Sequence, residues 1–325
     1  MIRRRIALAL LATPAVAQAQ TQAQTASFPT RSIRLVIPFT AGGSNDIVGR
    51  ILAEAMGARL GHPLVIENRG GAGGLLGNDL VAKAPADGYT VLLAGSGSFV
   101  ISSLTVPRVP YDVANGFAAI GLLGAGPNVI AVNPQLPARN LAELRDFARA
   151  HGPITFGTPG AGTTAHALGA MIALTLEFPI EFVHYRGTAP ALTDVVAGRV
   201  QMITNAAAPF LPFLASGRLR ALAVAGRQRA SILPDLSTSV EQGFPDIDSA
   251  TWYGLLAPAG APQEVIARLH AAMNGALEDA GVRARMVENG VEIETSPTPD
   301  DFARFLVTER ERWGTIVRRA RLSVE

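Results

Sequence analysis

Apolar positions along this chain fall into short continuous runs that alternate with stretches of helical spacing. The run Ile33-Arg34-Leu35-Val36-Ile37-Pro38-Phe39 has the length and composition of a buried strand. Ile47, Val48, Ile51, Leu52, Ala55, Met56 and Leu60 then recur every three or four residues, which predicts an amphipathic helix. Between them lies Thr40-Ala41-Gly42-Gly43-Ser44-Asn45-Asp46, so the opening unit is a strand, a two-glycine turn and a helix, with Ser44 expected as its N-cap. The same rhythm predicts strands over 64–67, 91–94, 129–132, 154–156, 181–184, 200–204, 219–224 and 252–257. Helices are expected up to Ala84, after 95–98, over 140–150 and 165–176, from Pro190, over 262–280 and over 300–319.

Repeated strand–loop–helix units with short connections argue for an α/β protein whose sheet is parallel and covered on both faces. A chain of 325 residues exceeds one ordinary core. The expected architecture is two doubly wound α/β domains joined by a two-strand hinge. The first domain is read over 28–125, the second over 126–225, and a return to the first over 226–325. The crossings fall near 122–129 and 221–226, and two crossings make a hinge rather than a tether.

Four of the loops carry the candidate chemistry: Ala41-Gly42-Gly43-Ser44, Gly95-Ser96-Gly97-Ser98, Gly160-Ala161-Gly162-Thr163-Thr164 and Gly187-Thr188-Ala189. Each follows a predicted strand, and the carboxyl edge of an open α/β sheet is where ligands bind. Glycine exposes main-chain N–H groups, and the helix start behind each loop adds the positive end of a dipole. Such a point suits a carboxylate or phosphate. A hydroxyl at or near each helix start adds a donor or serves only as a cap. Asp46, in a first helical turn, offsets the dipole or orders water beside a ligand. His166, one turn into its helix, is either a neutral hydrogen-bonding group or a general base. Gly160-Ala161-Gly162-Thr163-Thr164-Ala165 also fits a dinucleotide fingerprint with Glu181 as its acid, a weak pattern standing alone. No G-x-S-x-G elbow and no paired carboxylates stand out, which favours binding over chemistry.

Charge and the N-terminus narrow the setting. Arg3-Arg4-Arg5 followed by apolar residues 6–16 and the small-x-small sites Ala15-Val16-Ala17 and Ala17-Gln18-Ala19 read as a secretory signal over 1–19. Export implies the periplasm, a compartment poor in nicotinamide cofactors, and no cofactor is expected. Without those three arginines, 25 basic side chains face 26 acidic ones, so a nucleic-acid partner is not expected. Cysteine is absent and the five histidines show no metal-ligand spacing, which leaves no thiolate or histidine metal motif.

Several ordered segments match one family. They are 33–46, Val65-Ile66-Glu67-Asn68-Arg69 with Gly71-Ala72-Gly73-Gly74, Ala82-Lys83-Ala84-Pro85-Ala86-Asp87-Gly88-Tyr89 and Pro110-Tyr111-Asp112. Further along come Tyr185-Arg186-Gly187 with Ala189-Pro190-Ala191-Leu192-Thr193-Asp194, then Leu219-Arg220-Ala221-Leu222-Ala223-Val224 and Gly254-Leu255-Leu256-Ala257-Pro258. The chain resembles the Bug-type (tripartite tricarboxylate transporter) periplasmic solute-binding proteins from about Pro29 to the C-terminal helix. The resemblance implies a monomeric, hinge-closing receptor for a small mono- or dicarboxylate that serves membrane transporter subunits. By position it implies ligand contacts from Phe39, Ala41, Gly42, Gly43, Ser44 and Asp46 on one side. On the other it implies Gly160, Gly162, Thr163, Thr164, His166 and Gly187. Ser96 joins them from its own loop. The chain departs from the family at Gln201 and Asn205, where acids are frequent, and Asn205 would offer the cleft an amide donor. A receptor for a periplasmic sensor and an α/β enzyme on a carboxylate or nucleotide are the competing readings.

Overall fold

The computed structural model describes residues 28–323. The expected signal segment lies outside them. Strand β1 (Ile33–Ile37) is followed by α1 (Ser44–Leu60), β2 (Leu64–Asn68), α2 (Leu75–Ala82) and β3 (Thr90–Gly95). A π-type turn over Ser96–Ile101 runs into the short α3 (Ser102–Thr105), and a long strand β4 (Phe117–Val132) leads to the second half. There α4 (Leu141–His151), β5 (Ile154–Thr158), α5 (Thr164–Leu176), β6 (Ile180–His184), α6 (Thr188–Val196), β7 (Met202–Ala206), α7 (Leu211–Ala215) and β8 (Arg220–Val224) follow. The chain ends with β9 (Ala250–Pro258), α8 (Gln263–Glu278), α9 (Ala280–Glu288) and α10 (Pro299–Arg319).

One sheet runs in the order β2-β1-β3-β9-β4-β7-β5-β6, with β8 also paired to β4. The parallel pairing expected from the strand–helix alternation holds for β1 with β2 and β3, and for β5 with β6 and β7. It fails at the centre: β9 runs antiparallel to β3 and β4, and β4 antiparallel to β7 and β8. The sheet is therefore mixed. The reason is topological, since β4 and β9 pass between the halves in opposite directions and need no crossover helix between them.

Alternation along β1 shows how the strands hold the layers. Ile33, Leu35 and Ile37 pack with α1 and α8, while Val36 packs on the opposite face with Trp313 of α10. Burial of Val48, Leu52 and Met56 of α1 on the first face contributes about 1.5–3 kcal/mol for each large side chain. Helix α1 stops at Gly61, whose φ of +73° is left-handed. The helix expected over 262–280 is α8, which ends at Glu278. Asp279 leaves helical geometry and caps a further helix, α9, through Gly281 and Val282 N–H, and α9 is not among the elements the sequence predicts.

The halves meet at Asn128. Its side chain donates to Ser249 Oγ at 2.8 Å and accepts from Thr251 Oγ1 at 2.9 Å, and its carbonyl accepts from Ala225 N–H at 2.8 Å. Residues 226–249, expected with the first half, pack on the second: Ile247 and Phe244 sit with Phe156, and Ile232, Leu233 and Leu236 with Phe210. The return crossing is at Ser249–Ala250, where Ala250 pairs with Pro127. Helix α10 also spans both halves, because Trp313 and Val317 share a cluster with Ala167 and Met171 of α5. No helix among the described residues is long and apolar enough to cross a membrane.

Candidate functional site

Three helices begin at the wall of one small cavity between the halves. Ser44 and Asn45 of α1, Thr164 and Ala165 of α5, and Thr188 of α6 all line it. The first N–H groups of a helix have no intrahelical acceptor, so each start presents donors and a partial positive charge. Gly97 and Ser98 of the π-type turn and Asn205 at the end of β7 complete the ring, and Asn128 and Thr251 form its floor at the crossing strands. No charged side chain lines the cavity among the described residues. Its positive character comes from main-chain dipoles alone.

The cavity holds about 30 Å³, room for about two water-sized groups. Two buried polar atoms around it, Asn45 Nδ2 and Ser98 Oγ, have no partner among the described residues, and the Tyr253 hydroxyl lies behind Ser44. An unpaired buried polar group costs about 1–3 kcal/mol, so this cluster favours a polar guest. Burial pushes the Tyr253 hydroxyl up to about 12, which keeps it protonated and able to donate.

Two braces hold the loops in shape. Asp46 accepts from Gly42 N–H at 3.0 Å, from Arg50 through both carboxylate oxygens at 2.9 and 3.0 Å, and from Asn68 at 3.0 Å. Burial alone would raise its pKa, but the hydrogen bonds from Arg50, Gly42 and Asn68 hold it below the ordinary value. In the other half His166 Nδ1 accepts from Gly162 N–H at 3.0 Å. Burial first, and the nearby His184 second, push His166 down to about 4, so it stays neutral with its proton on Nε2.

These braces sort the residues expected from the sequence. Phe39, Gly43, Ser44, Thr163, Thr164 and Asn205 line the cavity. The N–H groups of Gly42 and Gly162 do not face a guest, because each is spent on a side chain four residues on. Asp46 and His166 therefore act as positioning residues. Ala41 is exposed and does not line the cavity. Gly160 packs against Gly73, where a Cβ would come within 3.3 Å of Gly73 Cα. Gly187 admits Thr40, against whose Oγ1 a Cβ there would collide. Ser96 shares a hydrogen bond with Thr164 Oγ1 across the halves at 3.0 Å.

Ser44 is not the cap expected of it. Gly43 occupies the N-cap position, and Ser44 Oγ donates across the cleft to Asn205 Oδ1 at 3.2 Å. The Asn205 amide nitrogen in turn donates to Thr188 Oγ1. A chain of short polar side chains thus ties the starts of α1 and α6 through β7. Gln201 lies elsewhere, accepting from Thr155 N–H at 2.9 Å. Sequence reasoning missed Asn45, Asn128 and Thr251. Adjacency to Ser44 could have flagged Asn45, but nothing local marks the other two.

The profile described as "Tripartite tricarboxylate transporter family receptor" (TctC) matches residues 48–322. Protein BugT of Bordetella pertussis is 33% identical over 294 residues, covering 90% of this chain and 90% of BugT. Among solved structures, the periplasmic binding protein BugD superposes with a TM-score of 0.88 at 31% identity, covering 92% of this chain and 100% of BugD. The structure of R. palustris Rpa4515 with adipate gives 0.88 and 31%, covering 91% of this chain and 99% of that one. A matching profile over most of the length, a matching fold and the paired glycine loops agree, and the chain belongs to the Bug-type TctC receptors, the solute-binding proteins of the tripartite tricarboxylate transporter family.

Proposed function

We propose that this protein is an exported receptor that captures a small carboxylate between its halves and delivers it to membrane transporter subunits. One observation carries the reading: three helix starts and an uncharged ring of hydroxyl and amide groups converge on a cavity the size of one carboxylate head. An anion there meets preorganised N–H donors without a counter-charge to displace, and each helix start contributes about 0.3–2 kcal/mol. Ligand contact with both halves is what biases the closed form. The lobes are 28–127 with 250–323, and 128–249, so that β4 and the Ser249–Ala250 link form the hinge. The protein works as a monomer and without a cofactor.

The test is calorimetry and thermal shift with mono- and dicarboxylates, followed by mass spectrometry of the recovered compound. Stabilisation by a carboxylate that is recovered unchanged supports the receptor. Conversion of the compound establishes an enzyme instead. No heat and no shift with any carboxylate removes the reading.

A further inference from the structure

Helix α2 supplies no residue to the cavity wall, yet it stands behind two loops that do. Its Gly77 packs on the chain after β1, where a Cβ would come within 2.8 Å of Pro38 Cα, next to Phe39 of the wall. Its Asn78 is fully buried against the π-type turn. Asn78 Nδ2 donates to the Ser98 carbonyl at 2.7 Å and to the Tyr111 hydroxyl at 2.8 Å. A carbonyl only accepts, so Ser98 fixes which way the amide points. Asn78 Oδ1 is then left without a partner among the described residues. A buried amide with an unpaired oxygen carries a desolvation cost that a leucine would avoid. Stability of the fold therefore does not account for asparagine at this position, whereas a donor to Ser98 does.

The turn is a place that needs an outside anchor. Irregular π-type geometry is uncommon and confined to short stretches. Three consecutive residues of it face the other half or the cavity: Ser96 bonds Thr164 Oγ1, Gly97 packs on the Thr164 main chain, and Ser98 lines the cavity. The carbonyl of the last is gripped from behind by Asn78 and, within the turn's own continuation, by Ser102 Oγ. We propose that Asn78 is a positioning residue for ligand binding: acting through the Ser98 carbonyl, it holds the π-type turn in the shape that meets both the guest and helix α5. The inference rests on the carboxylate-receptor reading and adds to it a residue that touches no guest. A turn released from α2 must be ordered at each binding event, and that ordering is subtracted from the affinity.

Asn78→Leu, close in size but without donors, tests this in the intact chain. In the unliganded variant, amide hydrogen exchange over 96–101 should rise about tenfold or more while β1 and β3 keep their rates. The melting temperature should move little. Calorimetry with adipate and succinate should show whichever of them the unaltered protein binds weakened by about tenfold or more. Tyr111→Phe leaves the Ser98 bond in place and should keep that affinity within about twofold of the unaltered protein. Asn78→Ser, too short to reach Ser98, should give the same readings and serves if the leucine variant does not fold. Unchanged exchange in the turn overturns the inference, as does a rise spread evenly along the chain. So does an affinity that Asn78→Leu leaves intact or that Tyr111→Phe lowers equally. If the unaltered protein binds no carboxylate, the receptor reading falls, and the exchange comparison still decides whether Asn78 holds the turn.

Discussion

The main-chain N–H of Gly162 donates to Nδ1 of His166, 3.0 Å away and four residues on. Gly42 and Asp46 repeat that brace at 3.0 Å in the other half. Both glycines are left-handed, with φ of +72° and +83°, and the cap residues Thr163 and Gly43 share a φ of −87°. One backbone solution therefore opens both ligand-facing helices, with a histidine as acceptor on one side and a carboxylate on the other. The two acceptors lose their function at different pH.

His166 is held neutral in the folded protein down to about pH 4, while an unfolded histidine protonates near its ordinary value of 6.5. A folded-state pKa below the unfolded one means the stabilisation is complete above that value and is lost as pH falls through about 4. The loss amounts to at most about 3 kcal/mol. Urea denaturation at pH 7 and pH 4.5 should show it, and His166→Asn should flatten the slope over that range. Asp46, held below the ordinary carboxylate range, keeps its brace until more acidic conditions.

Asp46→Asn removes the charge that pairs with Arg50 and replaces one acceptor oxygen by a donor facing Gly42 or Asn68. Loss of these charge-assisted bonds should cost about 1.5–3 kcal/mol of stability. The loop before α1 should loosen, and adipate affinity in calorimetry should fall with it. An unchanged affinity would show that the brace does not position the loop.

Gly97 sits against the opposite half so closely that a Cβ would lie 2.7 Å from Thr164 N and 2.8 Å from Thr164 Oγ1. Main chain at a helix start cannot yield by that much without moving α5. Gly97→Ala should therefore hold the halves apart and weaken adipate binding by about tenfold or more, with a much smaller effect on melting temperature. Small-angle scattering with adipate should show the variant failing to compact.

Glu309 is buried and accepts from Trp252 Nε1 at 2.9 Å and from Trp313 Nε1 at 3.0 Å, while Arg312 approaches at 3.3 Å. These are the chain's only two tryptophans. Glu309→Leu would leave both indole N–H groups buried without an acceptor and should cost about 2–5 kcal/mol. Denaturation followed by tryptophan emission would measure this, with a shifted native spectrum because both fluorophores lose the same partner.

Asn128 joins the segments that cross between the halves. Asn128→Ala leaves Ser249 and Thr251 without it and should lower stability by about 1–3 kcal/mol. Hydrogen exchange at Thr251 and Ala225 should rise above that of the surrounding strands.

The first unit, β1 to α1, follows from apolar runs and helical spacing, and its packing against the sheet has no close competitor. The long strand β4 was visible only over 129–132. Gly121, Gly124, Gly126 and Pro127 erase its alternation, and two register shifts near Ala119–Gly121 and Leu122–Gly124 absorb the irregularity. The excursion over 226–249 has no strong periodicity of its own, so its attachment to the second half depended on where Phe244 and Ile247 found a core.

By itself the amino-acid order determined the strand–turn–helix units, the glycine loops at their tips and the family resemblance, because each is written in residues a few positions apart. The tertiary structure alone decided which loops meet and which donors remain free. Whether Gly42 N–H turns to a guest or to Asp46, and whether Ser44 caps its own helix or reaches Asn205, depends on pairing between residues far apart in the chain. That pairing is set by the register of β4 and β9, which no short window of sequence contains.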